Sequence, residues 1–156
     1  ERADLAARVL DVRATSLLTQ MRRHTSPADR SPYEDVRWLG VLRSLGAQEM
    51  YRRASTVTID GVRVTDFVLD DPHFPRSVRS CLDRIGVILD ELPAAAGPVA
   101  NHRIVSAQLE SRGGRRASPV ALHVFLEDLQ HGLASLHGAV GDAWFRPRIS
   151  AHPAVA

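Results

Sequence analysis

Lysine is absent: the Lys+Arg total of 20 is arginine throughout. A Walker-type phosphate loop needs a lysine to reach the β/γ-phosphates, a Schiff-base enzyme needs an amine, and a Ser–Lys hydrolase needs its base. This chain alone can run none of the three. Cysteine is nearly absent too. Cys81 stands by itself, which excludes an internal disulfide and a cysteine-built zinc site. Aromatic residues make up only 5%, so the core has to be aliphatic, and a stacking platform for single-stranded nucleic acid is disfavoured. No apolar run approaches the roughly 18–20 residues a bilayer crossing needs, and no signal peptide is legible. The cytoplasm is the expected compartment.

What is present is globular. A chain of 156 residues with 44% hydrophobic and 24% charged residues and a mean hydropathy of -0.14 reads as one domain spanning 1–156. Its 18 acids against 20 arginines leave a net charge of +2, too small to argue for nucleic acid. The pI near 9.3 follows because arginine keeps its proton. The arginine- and alanine-rich composition points to a GC-rich genome. The chain opens on Glu1-Arg2-Ala3-Asp4 with no initiator methionine, so it reads as a piece of something longer that starts inside a helix.

Helical periodicity runs through most of the sequence. From Glu1 to about Arg22, Leu5, Val9, Val12 and Leu17 recur at helical steps and predict a buried stripe. Arg22 to Arg30, with Pro27, reads as a loop. Ser31, Pro32 and Glu34 form a capping box for a second helix, whose Val36, Leu39, Leu42, Leu45 and Met50 predict burial as far as about Arg53. Thr56 to Asp60 has an extended character, and Val62 to Leu69 predicts a short helix. Asp70 to Pro75 is a rigid turn, after which Pro75 opens the next helix, with Val78, Leu82, Ile85, Leu89 and Leu92 in register until Pro93. Pro93 to Pro98 is a linker, Val99 to Arg112 a fifth helix, and Gly113 to Ala117 a loop. Ser118-Pro119 then caps a last helix with Leu122, Leu126, Leu129, Leu133, Leu136 and Val140 at heptad-like spacing, ended by Pro147. The prediction is all-α: a bundle of about five to six helices.

Three stretches carry a resemblance. Glu1-Arg2-Ala3-Asp4 through Leu10-Asp11-Val12 resembles the "ERA(D/E)…RLLDV" signature of the alpha-E domain family, a group of bacterial all-helical proteins. Trp38-Leu39-Gly40-Val41-Leu42-Arg43-Ser44-Leu45-Gly46-Ala47-Gln48-Glu49-Met50-Tyr51 resembles that family's "W..LLRSL.A.EAY" helix. Asp66-Phe67-Val68-Leu69-Asp70 with Phe74-Pro75-Arg76-Ser77-Val78-Arg79-Ser80-Cys81-Leu82 resembles its "eFLLLD..FPRSV..CL" segment. The three fall in the family's order and cover roughly residues 1–92. Because a full member is about twice this long and carries the ERA motif twice, the chain looks like the C-terminal half of one. The resemblance implies a helical accessory domain that works with a circularly permuted ATP-grasp-type ligase module, fused or separate. A transglutaminase-like protease is the other associated class, and the setting is peptide ligation or modification. No cofactor is implied, and pairing with a second copy stays open. The alternative is an enzyme whose Glu1, Arg2 and Asp11 form a polar site shared with a first repeat.

Each candidate residue has a functional and a structural reading. Asp4, Arg8 and Asp11 recur one turn apart; they form either a charged line inside the bundle or a solvated face. The family reading puts Glu1, Arg2 and Asp11 inward as catalytic candidates. Arg76 and Ser77, in the first turn of a helix, offer a guanidinium fork and N–H groups to a carboxylate or phosphate. Alternatively, Ser77 caps its own helix while Arg76 pairs with Asp70 or Asp71. His123, Glu127 and His131 share one helix face, as metal ligands would, but a polar stripe opposite the leucines explains them more simply, and no metal site is expected. Turn chemistry covers Asp70-Asp71. Cys81 reads as a small core residue, and Gly113-Gly114-Arg115-Arg116 as a flexible loop.

Overall fold

The computed structural model describes residues 1–23, 33–54, 59–93, 95–112 and 118–146, with side chains omitted at 21–23. The expected Pro27 loop, the Ser31-Pro32 helix start, Thr56–Thr58, the Gly113–Ala117 loop and Pro147 lie outside those residues. Among the described residues there are seven α-helices: α1 (Arg2–Arg23), α2 (Glu34–Ser44), α3 (Gln48–Ala54), α4 (Gly61–Asp70), α5 (Val78–Glu91), α6 (Ala96–Ser111) and α7 (Pro119–Val140). A π-helical turn, Gly141–Phe145, follows α7, and no strand occurs. No helix among the described residues is long and apolar enough to cross a membrane.

Side-chain caps start three of the helices. The Asp60 carboxylate accepts from the N–H groups of Val62 and Arg63 at the start of α4. Ser77 Oγ accepts from Ser80 N–H at α5, and Ser118 Oγ from Ala121 N–H at α7, where Pro119 takes the first helical position. Helix α2 starts at Glu34, behind a Tyr33 that makes no side-chain cap bond. The Glu34 carboxylate reaches Arg13 on α1. Helix α5 begins at Val78, three residues after Pro75, so Arg76 precedes the helix rather than lying in its first turn.

The single helix expected from about residue 31 to 53 is two helices. Gly46 has φ +62, a left-handed conformation that an L side chain adopts only with strain, and it closes the end of α2 while Ala47 N–H bonds to the Leu42 carbonyl at 2.7 Å. The apolar repeat from Val36 to Met50 stays near helical spacing across the break and so conceals it.

Helices α1, α7, α6 and α5 form a ring, each packed on the next. Helix α4 rests on α5 and α1, α2 on α1 and α4, and α3 on α2. The five leucines expected to be buried on α7 line the core with Leu10, Leu42, Leu45, Val64, Val68, Leu69, Val78, Leu82, Val105 and Leu109. An aromatic trio sits at the α3–α4 side. Tyr51 meets Phe67 edge-on with centroids 5.3 Å apart, and Phe67 stacks on Phe74 at 5.0 Å.

Helix α1 is rotated from its expected setting. Its inward face is Ala3, Ala6, Ala7, Leu10, Arg13 and Ala14, while Leu5 is 52% and Val12 74% exposed. Of the expected stripe, Val9 and Leu17 pack against the core, while Leu5 and Val12 turn outward because small alanines, which fit a close helix pair, take the inward positions. Val36, Ile104 and Leu92 are likewise exposed, against expectation for the first and third.

Candidate functional site

Glu1 and Arg2 lie at the start of α1 and are exposed; Asp11, three turns along, is half-buried. The guanidinium that α1 buries is that of Arg13, not Arg2, which corrects the expectation that Glu1 and Arg2 face inward. Asp4 and Arg8 form an exposed pair one turn apart, at 2.7 Å. The structure therefore does not bring Glu1, Arg2 and Asp11 to one point.

Asp11 instead meets α7. His123 Nδ1 lies 2.6 Å from Asp11 Oδ1, and Gln130 Nε2 donates to Asp11 Oδ2 at 3.5 Å. On its other side, His123 Nε2 faces Glu127 Oε1 at 3.7 Å. The hydrogen bond to Asp11 raises the imidazole's pKa above the ordinary histidine value. Desolvation opposes the shift, and the charges of Asp11 and Glu127 add to it. An imidazole oriented by a carboxylate is able to accept or deliver a proton near neutral pH. The periodicity of α7 had put His123 and Glu127 on one face, but nothing in the sequence linked them to a residue 112 positions away.

Two further arginines organise the interior. Arg13, its side chain only 6% exposed, donates to Glu34 Oε2 at 2.5 Å and lies 5.1 Å above the Trp38 ring. Arg112, also 6% exposed, reaches Asp66 Oδ1 at 2.5 Å and Asp70 Oδ2 at 2.8 Å, and Arg79 joins Asp70 at 3.2 Å. This network ties the last turn of α4 to α5 and to the residue after α6. Arg13 and Arg112 went unmarked in the sequence. The usable signal was a charge lying on a helix's small-residue face, as Arg13 does between Leu10 and Ala14.

Arg76 Nη1 donates to the Leu45 carbonyl at 2.9 Å. Ser77 is wholly buried; its hydroxyl donates to the Asp71 carbonyl at 2.5 Å and accepts from Ser80 N–H at 3.0 Å. Asp71 Oδ1 accepts from His73 and Phe74 N–H, both at 2.8 Å, which is the turn chemistry expected for this acidic pair. Cys81 is half-buried against the core. Burial pushes its thiol up, with Arg2 and Arg84 pulling part of the way back, so it is a poor nucleophile at neutral pH.

An open groove of about 420 Å³ lies between α3 and α4, with Tyr51, Ala54 and Phe67 on its apolar side and Arg63, Asp66, Asp70 and Asp71 along its polar edge. Among the described residues, no three His, Cys, Asp or Glu side chains gather closely enough to hold a metal ion.

Comparison with protein families finds one match. Residues 1–145 match Alpha-E, described as a predicted alpha-helical domain with a conserved ER motif. The sequence contains a single Glu-Arg dipeptide, Glu1-Arg2. Neither the curated proteins nor the solved structures give a match. The matched span runs through α7 and the π-helical turn instead of ending near residue 92, and it does not bear out the reading of the chain as a C-terminal half. With essentially every described helix inside the match, the chain belongs to the Alpha-E family.

Proposed function

We propose that the chain is an accessory interaction domain that docks on an ATP-grasp-type ligase, in a bacterial, cytoplasmic system for peptide ligation or modification. The transglutaminase-like protease of such systems is a second partner. The observation that carries the reading is the outward stripe of α1. Leu5 and Val12, one heptad apart, stand 52% and 74% exposed on a helix whose inner face is already packed. Helix α7, its most extensive neighbour, also exposes Val120 and Val124. In the same structure Asp11, Arg13, Arg76, Ser77 and Arg112 all engage groups of the chain itself, so their polar chemistry serves assembly. The test is copurification of the chain with an ATP-grasp ligase encoded beside it. A stable complex that L5D/V12D abolishes is expected, and a chain that ignores the ligase overturns the reading.

The Asp11–His123 contact favours a second reading, an enzyme. In it Asp11 orients His123 as a general base, Glu1 and Arg2 supply further charge at the start of α1, and Arg76, ahead of the buried Ser77, holds an anionic substrate group by the donors left beyond Leu45. His123→Gln, together with Glu1→Gln and Arg2→Ala, discriminates the two. Unchanged activity of the assembled system with a normal fold removes the catalytic role.

A further inference from the structure

An imidazole has two nitrogens and, when neutral, only one N–H. In this fold each nitrogen of His123 faces a carboxylate: Nδ1 faces Asp11 on α1 at 2.6 Å, and Nε2 faces Glu127 one turn along α7 at 3.7 Å. A singly protonated ring serves one of them and turns a lone pair toward the other. Only the doubly protonated ring presents an N–H to both, as a hydrogen bond to Asp11 and a longer charge contact to Glu127. We propose that His123 is a proton-strengthened clasp between α1 and α7: the ring holds Asp11 in both states, as an ion pair backed by the Glu127 charge when it carries two protons and as a neutral hydrogen bond when it carries one.

The surroundings keep this arrangement simple. From α1, the arginines flanking Asp11 are engaged elsewhere, Arg8 by Asp4 at 2.7 Å and Arg13 by Glu34. From α7, Glu127 is the acid that acts on the ring, and Gln130 adds a neutral donor to the far oxygen of Asp11. From α6, Arg112 is turned away into Asp66 and Asp70. The charges acting on the ring are thus Asp11 and Glu127, and both favour the imidazolium. The clasp also spans the most extensive helix pair of the bundle.

The sign follows from linkage. Folding raises the ring's affinity for its proton above the ordinary value of 6.5. The contribution added by the charged ring is therefore complete below that pH and is lost as pH rises through the higher folded value.

Long-range proton–nitrogen NMR titration of the chain tests the proposal, with the His123 resonance identified by its loss in His123→Gln. The expected midpoint lies above that of a free histidine. It should fall in Glu127→Gln, an exposed substitution that leaves the core untouched, and fall again when Asp11→Asn is added. Amide exchange around Asp11, compared as protection factors, should be slower below the midpoint than above it in the unsubstituted chain, and this difference should shrink in Glu127→Gln. A midpoint at the free-histidine value, or one that neither substitution moves, overturns the proposal. So does protection on α1 that is indifferent to His123 protonation.

Discussion

Arg76 reaches back to the Leu45 carbonyl at 2.9 Å, across 31 residues of sequence, and so fastens the entrance of α5 to the exit of α2. That exit is where Gly46 takes its left-handed turn, and a Cβ at Gly46 would stand 3.1 Å from Arg76 Nη1. One guanidinium group thereby holds a helix end whose last carbonyls have no helical partner. Arg76→Ala is expected to cost about 1 kcal/mol, the net worth of one such hydrogen bond. Ser77→Ala, which removes a buried cap, is expected to cost about 1–2 kcal/mol. Urea unfolding of both variants measures this. If inorganic phosphate also raises the unfolding midpoint of the parent chain, and Arg76→Ala removes that rise, the same group serves an anion as well.

Gly61 should not tolerate alanine. The added Cβ would meet the Trp38 ring at 2.6 Å, and Trp38 has Arg13 5.1 Å away over its plane. The ring has to give way and lose that stacking. An ordinary glycine-to-alanine change inside a helix gains up to about 1 kcal/mol. Here overpacking should reverse the sign, for a net loss of about 1–2 kcal/mol. Tryptophan fluorescence reports the displacement directly.

Arg112→Ala is expected to cost about 1–2 kcal/mol, because Asp66 and Asp70 lose the buried donor they share while staying partly exposed. Asp66→Asn should cost under about 1 kcal/mol, since that carboxylate is more than a third exposed and Asp70 still has Arg79. A double-mutant cycle on Arg112 and Asp66 by chemical denaturation separates the pair from the desolvation of its parts.

L5D/V12D should leave stability within about 0.5 kcal/mol of the parent, as surface substitutions do. A larger loss in thermal unfolding would mean that these side chains support the bundle itself, and would remove the ground for assigning them to a partner.

The sequence disclosed the helices more fully than their faces. The positions of α1, α4, α5 and α7, and the Ser77 and Ser118 caps, could be read because capping residues and leucine spacing act locally. The division between α2 and α3 could not, since a single positive φ at Gly46 leaves the apolar period intact. The orientation of α1 was lost for a different reason. Its inner face is four alanines beside Leu10 and Arg13, with Val9 and Leu17 at the margin, so Leu5 and Val12 of the expected stripe fall on the outer side. The candidate site was legible only in part. Asp11 could be singled out, but its partner on α7 depends on which faces meet in space, and a chain read residue by residue holds no record of that.

The alanine face of α1 has a consequence for everything carried on the reverse side. Side chains this short permit close approach but provide few knobs to lock a cylinder against rolling about its axis. Rotational setting then falls to Leu10, the one large apolar side chain wholly buried on that face, and to the groups that reach across at the rim: Asp11 toward His123, and Arg13 toward Glu34 and Trp38. The direction in which Leu5 and Val12 are offered to the outside is governed by polar tethers a turn or two away as well as by the apolar contacts beneath them.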